Sequence, residues 1–219
     1  MESRKLFKKH IQELTKQFSI KNDFYLYKRT FAIREIGNML HIVCFDFPPS
    51  SMQCHVAIQP LYVPEDQLHF SFGNLLNHFY TQRTGLWGIE ESKILGDIEE
   101  ISSLLERNVL PWFSEITSPK NLIDFINSDK FSTVKCTPFL QNLYLGFSYL
   151  YTERFDLAYE KLTNALNITT DYIGDYKVKN IDLIEPLLIK IHNKEFCAIE
   201  NDMRSFISFT RASCNLVQK

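Results

Sequence analysis

Cys44, Asp46 and His55 lie within twelve residues of one another and carry the parts of a nucleophilic centre. An imidazole that takes a thiol proton creates a thiolate, and a carboxylate that orients the imidazole completes the set. Whether the three meet depends on strand register. If Pro48–Ser51 is a four-residue hairpin loop, Phe47 lies opposite Met52 and Cys44 opposite His55. Alternation then puts Asp46 on the same sheet face, and counting across Gly37-Asn38 sets Arg29 opposite Asp46. The plainer reading is a buried, inert thiol with Asp46 paired to Arg29, because the same face carries Phe31, Ile33 and Ile42. A slip of one residue would scatter the group over both faces. The thiolate reading predicts pH-dependent alkylation of Cys44 near neutrality.

A second group lies in HFSFGNLLNHFYTQRTGLWG, residues 69–88. His69 and His78 are nine residues apart and lack a third nearby ligand, so no metal site is expected. Phe70, Phe72, Leu75, Leu76 and Phe79 suit a core. His78, Tyr80, Arg83 and Trp87 remain as candidate binding residues, since Trp, Tyr and Arg combine large contact area with a polar tip. The alternative has Trp87 plugging the gap between sheet and helix and Arg83 solvated. No phosphate-binding glycine loop, H-E-x-x-H, G-x-S-x-G or zinc-deaminase pattern occurs, so no catalytic residue of those classes and no cofactor is expected.

These side chains need elements to hold them. Residues 3–18 have the apolar period of a helix, with Leu6, Phe7, Ile11, Leu14 and Phe18 on one side and lysines on the other. The period then becomes that of strands in FYLYKRTFAIRE (24–35), LHIVCFDF (40–47) and MQCHVAIQPLYV (52–63), with a fourth short strand at LHFSF (68–72). Gly37-Asn38 supplies a tight turn because both residues tolerate positive φ. Helical spacing resumes from Gly96 to Leu110, ahead of Pro111. Ser118-Pro119 then caps a further helix that carries Leu122, Ile123 and Ile126. The polar stretch 127–138 is the expected boundary between an α+β domain, 1–132, and an all-α region, 133–219. Two helices at about 181–192 and 195–214, joined near Asn193, make a second hairpin in that region, the last with Phe196, Ile199, Met203, Phe206 and Ile207 on its apolar face.

The run FLQNLYLGFSYLYTERFDLAYEKLTNAL (139–166) resembles one tetratricopeptide repeat. Leu145, Gly146 and Tyr149 keep the L-G-x-x-Y spacing, and Ala158 and Leu162 match A-x-x-x-F with leucine in place of phenylalanine. The resemblance implies a helical hairpin in which Gly146 and Ala158 allow close approach. Asn142 stands at the family's tryptophan position and no second copy follows in phase, so a repeat-built peptide groove is not implied. YKRTF, IQPLYVP, HFSFGN and LPWF resemble, over about residues 5–128, a bacterial family of small α+β proteins known as a domain of unknown function. That resemblance implies the helix-then-meander order and brings no catalytic residues. Small bacterial proteins of this style include immunity and accessory partners of toxins, which is an analogy of style.

Composition narrows the classes. The 219 residues are 45% hydrophobic and 23% charged, the balance of a folded chain able to bury roughly 70% of its unfolded surface. A net charge of −2 lacks the basic stripe of a nucleic-acid binder, apart from Lys5, Lys9 and Lys16 on the first helix. Five scattered cysteines without a C-x-x-C pair suit reduced thiols, and the charged start and absence of a long apolar run suit a cytoplasmic protein without a membrane span. The leading expectation is therefore a non-enzymatic protein-interaction module, with a homodimer as one form of partner. An enzyme built on Cys44, His55 and Asp46 is the second reading. A weak nucleic-acid binder acting through the first helix is the third.

Overall fold

The coordinates are those of a computed structural model, which describes residues 2–78, 87–169 and 175–216. The chain is α+β and forms two units, neither continuous in sequence. One comprises Met1–Gln59, His69–Ile116 and Ser132–Lys135; the other comprises Pro60–Leu68, Thr117–Phe131 and Cys136–Lys219. The expected boundary at 127–138 falls where the chain crosses between units, with residues 117–131 in the second.

The first unit begins with helix α1 (Glu2–Lys21), which buries Phe7, Ile11, Leu14 and Phe18 at spacings of three and four while Leu6 is 38% exposed. An antiparallel sheet follows in the order β1 (Tyr25–Lys28), β2 (Phe31–Ile36), β3 (Met39–Asp46), β4 (Ser51–Pro60) and β5 (Gly73–Leu75), with β6 (Trp87–Gly88) also paired to β4. The run 24–35 is two strands instead of one. It folds back at Arg29-Thr30, where Phe45 N donates to Thr30 O at 2.9 Å, and a bulge follows Leu26. The fourth strand lies at 73–75, not at 68–72, and pairs His55 with Leu75 and Ala57 with Gly73. A Cβ on Gly73 would meet Val56 O at 2.0 Å and Ala57 Cα at 2.7 Å, and Lys135 N donates to Gly73 O at 2.8 Å. Only glycine fits between those backbones.

Gly37 and Asn38 have φ of 55° and 63°, and the two-residue turn they make sets Phe31 opposite Cys44 and Arg34 opposite His41. Helix α2 (Ile94–Leu104) does not stop before Pro111. It runs through a π-turn (Leu105–Val109) into α3 (Leu110–Glu115). A proline ring clashes with the carbonyl four residues back in a regular helix, and the widened turn just before Pro111 removes that partner.

In the second unit Ser118 Oγ accepts Asn121 N at 3.2 Å and Pro119 opens α4 (Pro119–Ile126), as the cap residues predict. Helices α5 (Pro138–Tyr151) and α6 (Phe155–Thr169) form the expected hairpin. A Cβ on Gly146 would meet the Leu162 side chain at 2.7 Å, and Ala158 and Leu162 have no exposed surface. Helix α7 (Asp175–His192) packs on α6, and α8 (Phe196–Ser213) packs on α7 and returns to α5. That return closes a four-helix arrangement where an open repeat stack would continue outward. The α5–α6 and α7–α8 turns share one design. Glu153 (φ 58°) and Lys194 (φ 60°) follow the helix ends, and the next residues, Arg154 and Glu195, bond back to Tyr149 O and Lys190 O. Among the described residues no helix is long and apolar enough to cross a membrane.

Candidate functional site

Strand register brings part of the Cys44 group together. Phe31 lies directly opposite Cys44, and the Phe70 ring sits 5.8 Å from Phe31 and 5.1 Å from His55. Asp46 acts electrostatically on both Cys44 and His55. The chemistry does not follow. Burial pushes the Cys44 thiol up to about 12, Asp46 adds to that rise, and Lys28 opposes it. A thiol so raised is held in its protonated, non-nucleophilic form at neutral pH. No hydrogen bond joins Cys44, His55 and Asp46 among the described residues, and Asp46 Oδ1 instead accepts Phe47 N at 2.8 Å. No base is hydrogen-bonded to the thiol among the described residues. Nor does Arg29 form an ion pair with Asp46 among the described residues.

The opposite face of the sheet holds a polar cluster that the composition did not announce. His41 has no exposed surface; its ring stacks on Phe113 at 4.6 Å with an interplanar angle of 6°. Its Nε2 lies 2.8 Å from Ile116 O, which can only accept, so Nε2 carries the proton. Arg34 Nη2 lies 3.1 Å from Nδ1 and can only donate, which fixes the neutral tautomer. Burial lowers the imidazole pKa to about 4, the Ile116 bond opposes that shift, and Arg34 adds to it. The guanidinium lies 4.7 Å above the Phe24 ring and also donates to Asn22 O at 3.3 Å. Both ring nitrogens are occupied, so His41 has no lone pair for a substrate. The signal existed in the sequence: the turn count that aligns Cys44 with Phe31 also aligns His41 with Arg34.

The candidates in residues 69–88 divide. Trp87 is fully buried opposite Met52 in β4, and its Nε1 donates to Glu100 Oε2 of α2 at 3.0 Å. It fills space between strand and helix and has no face to offer a partner. His78 is exposed, while Tyr80 and Arg83 lie outside the described residues. Lys5, Lys9 and Lys16 lie on the exposed side of α1, the pattern of a solvated helix face.

A concavity lies within the helical unit. Leu150 and Tyr151 at the end of α5, Phe155 at the start of α6, and Ile199, Met203 and Ile207 along α8 line a groove of about 430 Å³. That volume is in the range of sites that take a small ligand or an anchoring side chain. Ile199, Met203 and Ile207 are buried at its floor, whereas Tyr151 is 39% and Phe196 41% exposed at its edge. Phe155 and Phe196, each the first residue of its helix, stack at 4.1 Å with an angle of 16°. Glu153, Cys197, Glu200 and Arg204 complete the lining. The periodicity of 195–214 assigns Phe196 to the core. A helical side chain leans toward the N-terminus, so at the first position it projects past the helix and finds no turn beneath it.

In comparisons with known proteins, no family model, no curated protein and no solved structure matches this chain.

Proposed function

We propose that the protein is a non-enzymatic protein-interaction module whose helical unit carries the binding surface. One observation carries the reading: a 430 Å³ groove with an apolar floor, aromatic edges and a polar rim. Aromatic side chains, methionine and arginine are enriched at interfaces, and hot spots lie where such residues are desolvated inside a ring of polar neighbours. Met203 adds adaptability, since its unbranched thioether repacks around differing partners. The Cys44 group offers the enzyme reading no ionised thiol, and His41 is closed off by its own partners. A bacterial immunity or accessory role is the narrower form of the proposal.

Affinity capture from the native cell with the wild-type chain and with Phe196→Asp, both checked for folding by circular dichroism, tests it. A stoichiometric companion is expected, and its recovery should fall at least about tenfold with the variant. Equal recovery by the folded variant would remove the groove from the proposal. A co-purifying metabolite without any companion protein would favour the enzyme. Alkylation separates the readings independently: Cys197 should react in the native protein, whereas Cys44 should react only after unfolding.

A further inference from the structure

The rim of the groove is not neutral. Its charged lining residues are Glu153, Glu200 and Arg204, two carboxylates against one guanidinium. Arg204 Nη2 is held by Glu200 Oε1 at 2.5 Å, one turn apart on α8. Glu153 has no ion-pair partner among the described residues, so the excess negative charge resides there. Glu153 occupies the left-handed position after α5 at φ 58°, a place where glycine is the usual residue and a side chain is disfavoured. The turn thus sets a carboxylate among the groove's lining residues. Beside it, the Phe155–Phe196 stack and the buried Ile199–Met203–Ile207 stripe form a slot with no polar floor. A cation placed against the exposed Glu153 would sit beside an apolar wall and form a salt-sensitive pair.

We infer that the groove takes a short segment of a partner protein in which a large apolar side chain sits beside a lysine or arginine. The apolar residue packs along Phe196 and the α8 stripe, and the cation meets Glu153. This rests on the interaction reading above and adds the chemistry of the partner.

Cys197 supplies the readout, because it is exposed and lines the groove. A random-peptide display library is panned against the full chain, and enriched peptides are synthesised and tested for slowing of Cys197 alkylation by N-ethylmaleimide. The expected peptides pair a Phe, Trp, Leu or Met with Lys or Arg within one helical turn, and protection should reach about tenfold at saturation. Glu153→Gln should weaken them about threefold, the worth of one exposed ion pair, and added salt should do the same. Phe196→Asp should abolish protection. Protecting peptides that lack basic residues, or that bind Glu153→Gln equally well, would overturn the charge assignment while leaving the groove as the binding surface. Enriched peptides that never protect Cys197 would overturn both. Protection that appears on concentrating the protein alone, with a dimer in sedimentation, would assign the groove to a second copy and overturn this inference.

Discussion

The sheet unit and the helical unit each bring two elements closer than ordinary side chains allow, but they do it differently. At Gly73 a Cβ would strike the carbonyl oxygen and Cα of the neighbouring strand; at Gly146 it would strike the tip and branch of Leu162. Backbone locked in a ladder cannot step aside, whereas a leucine can change rotamer or be shortened. The same contrast runs through their polar groups. The sheet unit holds an Arg34–His41–Ile116 chain, half-buried at Arg34 and buried at His41, whose donors and acceptors leave one tautomer. The helical unit settles its helix ends with local turns in which Glu153 and Lys194 tolerate a left-handed backbone. Fixed geometry lies in the sheet and adjustable geometry in the helices, which is where the groove is.

Substitutions in both units test that contrast. Gly73→Ala should be the most damaging, more than about 4 kcal/mol and enough to unfold a marginal domain, with no second-site shortening able to rescue it. Chemical denaturation of the purified variant, or its failure to accumulate, gives the answer.

His41 comes next. Its folded pKa lies below its unfolded value, so the stability it contributes is complete above about pH 6.5 and is lost as pH falls toward about 4. The loss should be on the order of 3 kcal/mol over that window. His41→Gln keeps one donor and one acceptor but cannot titrate. Denaturant midpoints measured from pH 7 to pH 4 should therefore fall less steeply for the variant; parallel curves would locate the acid sensitivity elsewhere.

Gly146→Ala should cost about 1–2 kcal/mol, the overpacking being partly offset by the better helix propensity of alanine. Adding Leu162→Val should recover part of the loss, and a double-mutant cycle in urea would show the coupling. Strict additivity would mean that the hairpin has shifted instead. The smallest effect should be a gain. Lys194→Gly relieves a left-handed non-glycine residue and should stabilise by up to about 1 kcal/mol, visible as a raised Tm. Glu153→Gly should gain similarly in stability while losing the carboxylate at the groove.

Much of the fold was legible because its periods are clean. The stripe Phe7–Ile11–Leu14–Phe18, the Gly37-Asn38 turn, the Ser118 cap and the Gly146–Leu162 contact follow from spacing and local chemistry alone. The errors have physical sources. Arg29-Thr30 contains none of the residues that mark a turn, so two strands read as one. A three-residue strand at 73–75 carries too little pattern to detect, and a π-turn before Pro111 leaves no compositional trace. The groove was hidden for another reason. Phe196 repeats at the core's spacing, and only its place at the first position of α8 sends it outward. Trp87 shows the reverse: its glycine-flanked surroundings suggest a surface, but pairing with Met52 and a bond to Glu100 take it inside.

The interleaving of the two units has a consequence for how the molecule is made. Residues 132–135 complete the sheet edge through Lys135 N and Gly73 O, while Tyr62 and Val63, from the first third of the chain, bond Ser148 and Thr210 in the helical unit. A ribosome that has delivered only the first 116 residues has not yet supplied that last edge, and the segment Pro60–Leu68 must await helices translated long after it. Fragments divided between Ile116 and Thr117 should therefore fold poorly in isolation, and the two halves should regain structure when expressed together.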